Sequence, residues 1–186
     1  LIIGDIPFSI DQDSLIKDEL KRIHRELDLN LETESYRISK EILGESYVRS
    51  TIKNFKQISK EFEKQPPCGE IDLLIVNPAT KILFVLDAKN INRKFFTSAI
   101  KRELRDFFEG RSNKKSYLEK LNMKVDFINE NKEEVLNHFK IVDKNGWKIK
   151  KGFVVNTLYV SAFYKEKVDF ILIDDLKEYL EYKENS

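Results

Sequence analysis

The chain has a single cysteine, Cys68, so no internal disulfide and no cysteine-rich zinc site can form. Its two histidines, His24 and His138, lie far apart in sequence and cannot supply a histidine cage for zinc. Poverty in cysteine points to an intracellular, cytoplasmic setting. Long apolar runs are also missing. Stretches such as 82–86 fall far short of a bilayer span, so no membrane partner is expected. Net charge is nearly absent too: 33 basic and 32 acidic side chains cancel, and the total alone indicates no polyanionic partner. There is no Gly-x-x-x-x-Gly-Lys phosphate loop, Gly-x-Ser-x-Gly elbow or His-Glu-x-x-His pair.

What is present is 186 residues, 41% apolar and 35% charged, enough for one folded domain with a core. The charge is unevenly spread. Positions 5–45 hold eleven acidic against six basic residues, and positions 93–124 hold ten basic against four acidic. Solvated helix faces account for much of that pattern. The chain enters an ordered pattern almost at Leu1, as expected of a piece of a longer protein.

Apolar residues at Leu15, Ile16, Leu20, Ile23 and Leu27 have helical spacing and predict a helix over 9–27. After a break at 30–34, Tyr36, Ile38, Ile42, Leu43, Tyr47, Val48 and Ile52 predict a second helix over 33–52. A charged edge strand is expected around 55–64. Two firm strands follow at 71–76 and 81–88, rich in β-branched and aliphatic residues, with Asn77-Pro78-Ala79-Thr80 as the hairpin turn. Helices are expected at 95–109, 115–129 and 132–138, strands at 153–160 and 168–173, and a last helix capped by Asp174. Residues 1–32 read as a helical extension, and 33–186 as the domain, with a helical insertion at about 95–140.

Side chains alternate along a strand, so Asp72 on the first hairpin strand and Asp87 and Lys89 on the second can share a face. A loop at 77–80 pairs Val76 with Lys81, sets Asp72 opposite Val85 and Glu70 opposite Asp87, and leaves the two aspartates as diagonal neighbours roughly 7 Å apart. A register error of one residue would put them on opposite faces. Asp87 and Lys89 end the run Ile-Leu-Phe-Val-Leu, which looks buried on both sides, so these charges need a partner or a purpose. Carboxylates so placed suit Mg²⁺, with Mn²⁺ substituting. A nearby lysine can orient a metal-bound water and offset charge on a phosphorus. Glu45 and Glu41, one helical turn apart, are candidates for a third carboxylate.

Gly69-Glu70-Ile71-Asp72-Leu73-Leu74, a turn, and Val85-Leu86-Asp87-Ala88-Lys89 resemble the core of the PD-(D/E)xK nuclease superfamily. The resemblance implies an α/β restriction-endonuclease-like fold, a mixed central sheet flanked by helices. It implies a metal-dependent nuclease, acting on DNA more than RNA. Asp72 and Asp87 match the metal-binding acids, Lys89 the catalytic lysine, and the Ala88 carbonyl an extra ligand. The family's helical glutamate falls best on Glu45, which begins Glu45-Ser46-Tyr47-Val48. The family often has proline before the first aspartate, and Ile71 stands there instead.

Arg93, Lys94, Lys101 and Arg105 follow the second strand and form the expected phosphate track, with Lys101 and Arg105 one turn apart. Phe95, Phe96, Phe107 and Phe108 are expected in the core, as are Trp147, Tyr159 and Tyr164. A homodimer is open to the chain. The alternative function is a catalytically inactive nucleic-acid-binding or protein-interaction module of a larger defence or repair protein.

Overall fold

The computed structural model describes residues 15–53, 56, 58, 69–91, 96–158, 160–163 and 167–181. The expected edge strand at 55–64 lies almost wholly outside them, as do Cys68, Arg93, Lys94, Phe95, Tyr159 and Tyr164.

Helix α1 runs unbroken from Leu15 to Leu43 where two helices were expected. The segment at 30–34 holds neither proline nor glycine, and one asparagine costs a helix only a few tenths of a kcal/mol. The buried stripe Leu31, Ser35, Ser39 carries straight through it. Its two hydroxyls are satisfied inside the helix, Ser35 donating to the Leu31 carbonyl at 2.7 Å and Ser39 to the Ser35 carbonyl at 2.8 Å. On the wet face Arg37 pairs with Glu34 and Glu41 at the i, i+3 and i, i+4 spacings. The helix stops before Gly44, whose φ of 89° suits glycine. A single 3-10 turn, Glu45–Tyr47, then leads into strand β1, Val48–Ile52. The last five residues of the expected helix are therefore strand, and Glu45 lies in the 3-10 turn and not on the α-helix.

Strands β2, Ile71–Asn77, and β3, Ile82–Lys89, form the expected hairpin. Asn77 pairs with Ile82 and Leu73 with Leu86, so the loop is 78–81, one residue later than read from the sequence. The Asn77 side chain causes the shift. Its Oδ1 accepts from the backbone N–H groups of Ala79, at 3.0 Å, and Thr80, at 3.3 Å. Its Nδ2 donates to the Leu180 carbonyl at 2.9 Å, tying the turn to the last helix. The ladder moves by two residues, an even number, and every side chain keeps its face.

The crossover that follows is helical: α2, Thr97–Leu104, continues into a π turn, Arg105–Glu109, and then come α3, Tyr117–Glu130, and α4, Lys132–His138. Gly110, at φ 73°, ends the π turn where a Cβ would stand 2.7 Å from the Lys114 carbonyl oxygen. A capping box at Ser116 and Glu119 starts α3. Strand β4, Lys148–Val155, begins and ends earlier than expected. Strand β5, Asp169–Leu172, a 3-10 turn at Ile173–Asp175 and helix α5, Leu176–Glu181, complete the described chain.

The fold is α/β. Five strands lie in the order β1-β2-β3-β4-β5, antiparallel from β1 to β3 and parallel from β3 to β5. Helices cover both faces. Leu74, Val76, Leu83 and Val85 pack with Leu121 and Ile128 of α3 and Val135 and Leu136 of α4. Leu73, Ile75, Phe84 and Leu86 pack with Tyr36, Ile38 and Ile42 of α1 and Leu176 and Leu180 of α5. Phe107 and Trp147 are core, as expected, whereas Phe96, the residue before the first turn of α2, is 56% exposed and lines a cavity. Among the described residues no helix is long and apolar enough to cross a membrane.

Replacing Asn77 with alanine removes the acceptor of both turn N–H groups and leaves the buried Leu180 carbonyl without its donor. We expect a loss of roughly 2–3 kcal/mol in urea unfolding. A loss under about 0.5 kcal/mol would show that the turn is held by its backbone alone.

Candidate active site

Where β2 begins and β3 ends, the sheet brings acidic and basic groups together. One step beyond the Leu73–Leu86 pair, Asp72 stands directly opposite Asp87, a closer arrangement than the expected diagonal. Both are buried, on the face that carries Leu74 and Val85. On β1 the ladder pairs Ser50 with Leu73 and Ile52 with Ile71, and skips Thr51. Thr51 has a φ of 53°, uncommon for a β-branched residue, and adjoins Asp72 across the sheet.

The carboxylates are neutralised by two ammonium groups. Lys124 of α3 donates to both oxygens of Asp87, at 2.6 and 2.7 Å, and is itself buried. Lys89 lies 3.2 Å from Asp72 Oδ2 and 3.8 Å from Asp87 Oδ2, and donates to the Ala88 carbonyl at 2.8 Å. The Ala88 N–H adds a bond to Asp72 Oδ2 at 2.9 Å. Burial, then the facing Asp87 carboxylate, push the Asp72 carboxyl above its ordinary 3.8, against the pull of Lys89 and Lys124. Burial opposes charge on Lys89, but Asp87 and Asp72 outweigh it and hold the ammonium above its usual 10.5.

Lys89 reaches a cavity of about 690 Å³ whose walls include Asp28 and Glu32 of α1, Arg102 of α2 and Tyr117 of α3. Its Nζ sits 5.7 Å from the centre of the Tyr117 ring, and Phe107 braces that ring edge-on. Partial burial, then repulsion from Asp72, push the Glu32 carboxyl up, with Lys89 pulling it down. Burial likewise raises Asp28, and His24 and Lys89 oppose the rise.

Glu45 is elsewhere. Val48 pairs with Ile75, so the residues before it lie toward the turn end of β2, away from Asp72. Its side chain is exposed and paired with Lys40 at 2.9 Å. Glu41 is engaged with Arg37 on the wet face of α1. The helical carboxylates that do face the site are Glu32 and Asp28, four residues apart, and the expected break at 30–34 hid them. Of the expected phosphate track, Lys101 and Arg105 are exposed but do not line the cavity, where Arg102 stands instead. Lys124 had a legible signal: it occupies a core position in the apolar stripe Leu121, Lys124, Ile128.

The chain matches no protein-family model, no curated protein and no solved structure. Among the described residues no group of three or more histidine, cysteine, aspartate or glutamate side chains is arranged to hold a metal ion. Asp72 and Asp87, with the carbonyl of Ala88 that follows Asp87 in the chain, nevertheless form a hard-oxygen set. The positive charge they demand is supplied by Lys89 and Lys124.

Because Asp72 titrates higher in the folded chain than its ordinary 3.8, its contribution to stability is full below 3.8 and is lost as pH rises through the folded value. Asp72→Asn should therefore unfold at a higher temperature than the parent near neutral pH, and the gap should close as pH falls toward 3.8. A less stable variant near neutral pH would mean that pairing with Lys89 outweighs burial.

Proposed function

We propose that this protein is a metal-dependent phosphodiesterase of the restriction-endonuclease-like kind, acting on nucleic acid, DNA before RNA. The observation that carries the reading is the direct opposition of Asp72 and Asp87 on the adjacent strands β2 and β3, with Lys89 within 3.8 Å of both, beside a cavity large enough for a nucleotide. The antiparallel β1-β2-β3 meander followed by a helical crossover and parallel strands supports it at the level of topology.

Mg²⁺, with Mn²⁺ substituting, would be held by Asp72, Asp87 and the Ala88 carbonyl, with Glu32 of α1 as a further carboxylate facing the same cavity. Such an ion polarises a phosphate and acidifies a bound water. The protein's own groups do the rest. Lys89, kept charged by its two aspartates, offsets negative charge gathering on the phosphate and orients the attacking water. Arg102 faces the cavity as a phosphate-positioning cation, and Tyr117 holds Lys89 from the side.

A second reading, a nucleic-acid-binding module without turnover, draws on one observation: both oxygens of Asp87 are already engaged by Lys124. It predicts steeply salt-dependent binding and no cleavage with any divalent ion.

Plasmid and oligonucleotide cleavage with Mg²⁺ or Mn²⁺ separates the two. Lys89→Ala and Asp87→Asn should each lower the rate by roughly 10²-fold or more, whereas Glu45→Gln should leave it unchanged. Cleavage that survives both site changes in folded protein would overturn the assignment.

A further inference from the structure

Lys124 is unusual for a surface-type residue. It is 5% exposed, sits on a helix fixed by a capping box at one end and by fully buried Leu121 and Ile128 on either side, and has its ammonium centred between the two oxygens of Asp87. An ammonium in that cleft occupies the approach that a cation bound by both oxygens of Asp87 would take. A divalent ion and an ammonium also repel strongly at such range. A buried lysine that merely stabilised the fold would be a poor choice, since apolar pairs of similar volume serve as well or better.

We infer that Lys124 is a positioning residue for Asp87 that competes with the metal: it stands in for the ion while the site is empty and must swing off Asp87 for the ion to bind. The inference rests on reading Asp87 as a metal ligand. Its consequence is that metal affinity is set by α3 as well as by the strands, because the helix decides how readily the ammonium returns. Lys124 then keeps the two opposed carboxylates from repelling one another without metal, and makes loading of the site a displacement.

The test is Mn²⁺ binding by the whole protein without nucleic acid, followed by electron paramagnetic resonance of the free ion, with circular dichroism to check folding. Lys124→Met keeps the length of the side chain and removes the charge, and should bind Mn²⁺ at least tenfold more tightly than the parent. A purely structural role would leave affinity unchanged or weaken it. Asp87→Asn should abolish binding in either background.

Equal affinity in parent and Lys124→Met, abolished by Asp87→Asn, would overturn the role of Lys124 and leave the metal site standing. No binding to either protein would overturn both. Should Lys124→Met not fold, Lys124→Gln carries the same expectation. Should neither fold, amide hydrogen exchange of the parent over Tyr117–Glu130 decides: saturating Mn²⁺ should speed exchange around Lys124, and unchanged exchange would overturn the inference.

Discussion

Two carboxylates placed directly opposite each other on adjacent buried strands are the constraint around which this molecule is arranged. At the spacing of a cross-strand pair, about 5 Å, and an effective dielectric of about 20, their repulsion is on the order of 3 kcal/mol before any cost of removing them from water. A fold tolerates that only with compensating charge close by. Lys89 supplies one charge from the same strand, two residues on, and Lys124 supplies the other from a helix across the sheet face. The long crossover between β3 and β4 is thereby tied to the site, since its helices also contribute Arg102 and Tyr117 to the cavity wall.

Such an arrangement is a poor way to obtain stability and a good way to hold charge ready. Burial raises the carboxyl of Asp72 while its neighbours hold the ammonium of Lys89 in charge, so opposed effects meet on two groups 3.2 Å apart. The strained backbone at Thr51 lies next to the same aspartate. Among the described residues the cost in the sheet is thus concentrated at one place, where the two carboxylates oppose each other.

The central hairpin, the α/β pattern and the common face of Asp72, Asp87 and Lys89 were legible in the sequence because period-2 alternation and long apolar runs are local signals. The turn was misplaced by one residue, since the asparagine that opens it belongs to the strand and holds the loop from there; the face survived only because the slip in the ladder was even. The helical acids that face the cavity, Asp28 and Glu32, were missed for a different reason. Asn30 reads as a breaker on propensity, yet tertiary burial of Leu31, Ser35 and Ser39 overrides it. Lys124 lies 37 positions from Asp87, and no local pattern joins a lysine in one helix to an aspartate in a strand.

Helix α1 reaches the site in an unusual way. Leu31 is buried and anchors it to the rest of the molecule, while Leu27 and Leu29, just before, are 42% and 61% exposed. Toward its beginning the helix is half-buried again at Leu20, Ile23 and His24, and its wet face carries arginine–glutamate pairs such as Arg22 with Glu19. Glu32, beside the buried Leu31, and Asp28, four residues earlier, stand just over one turn apart, so one side of a single helix presents two acids to the cavity, one above the other.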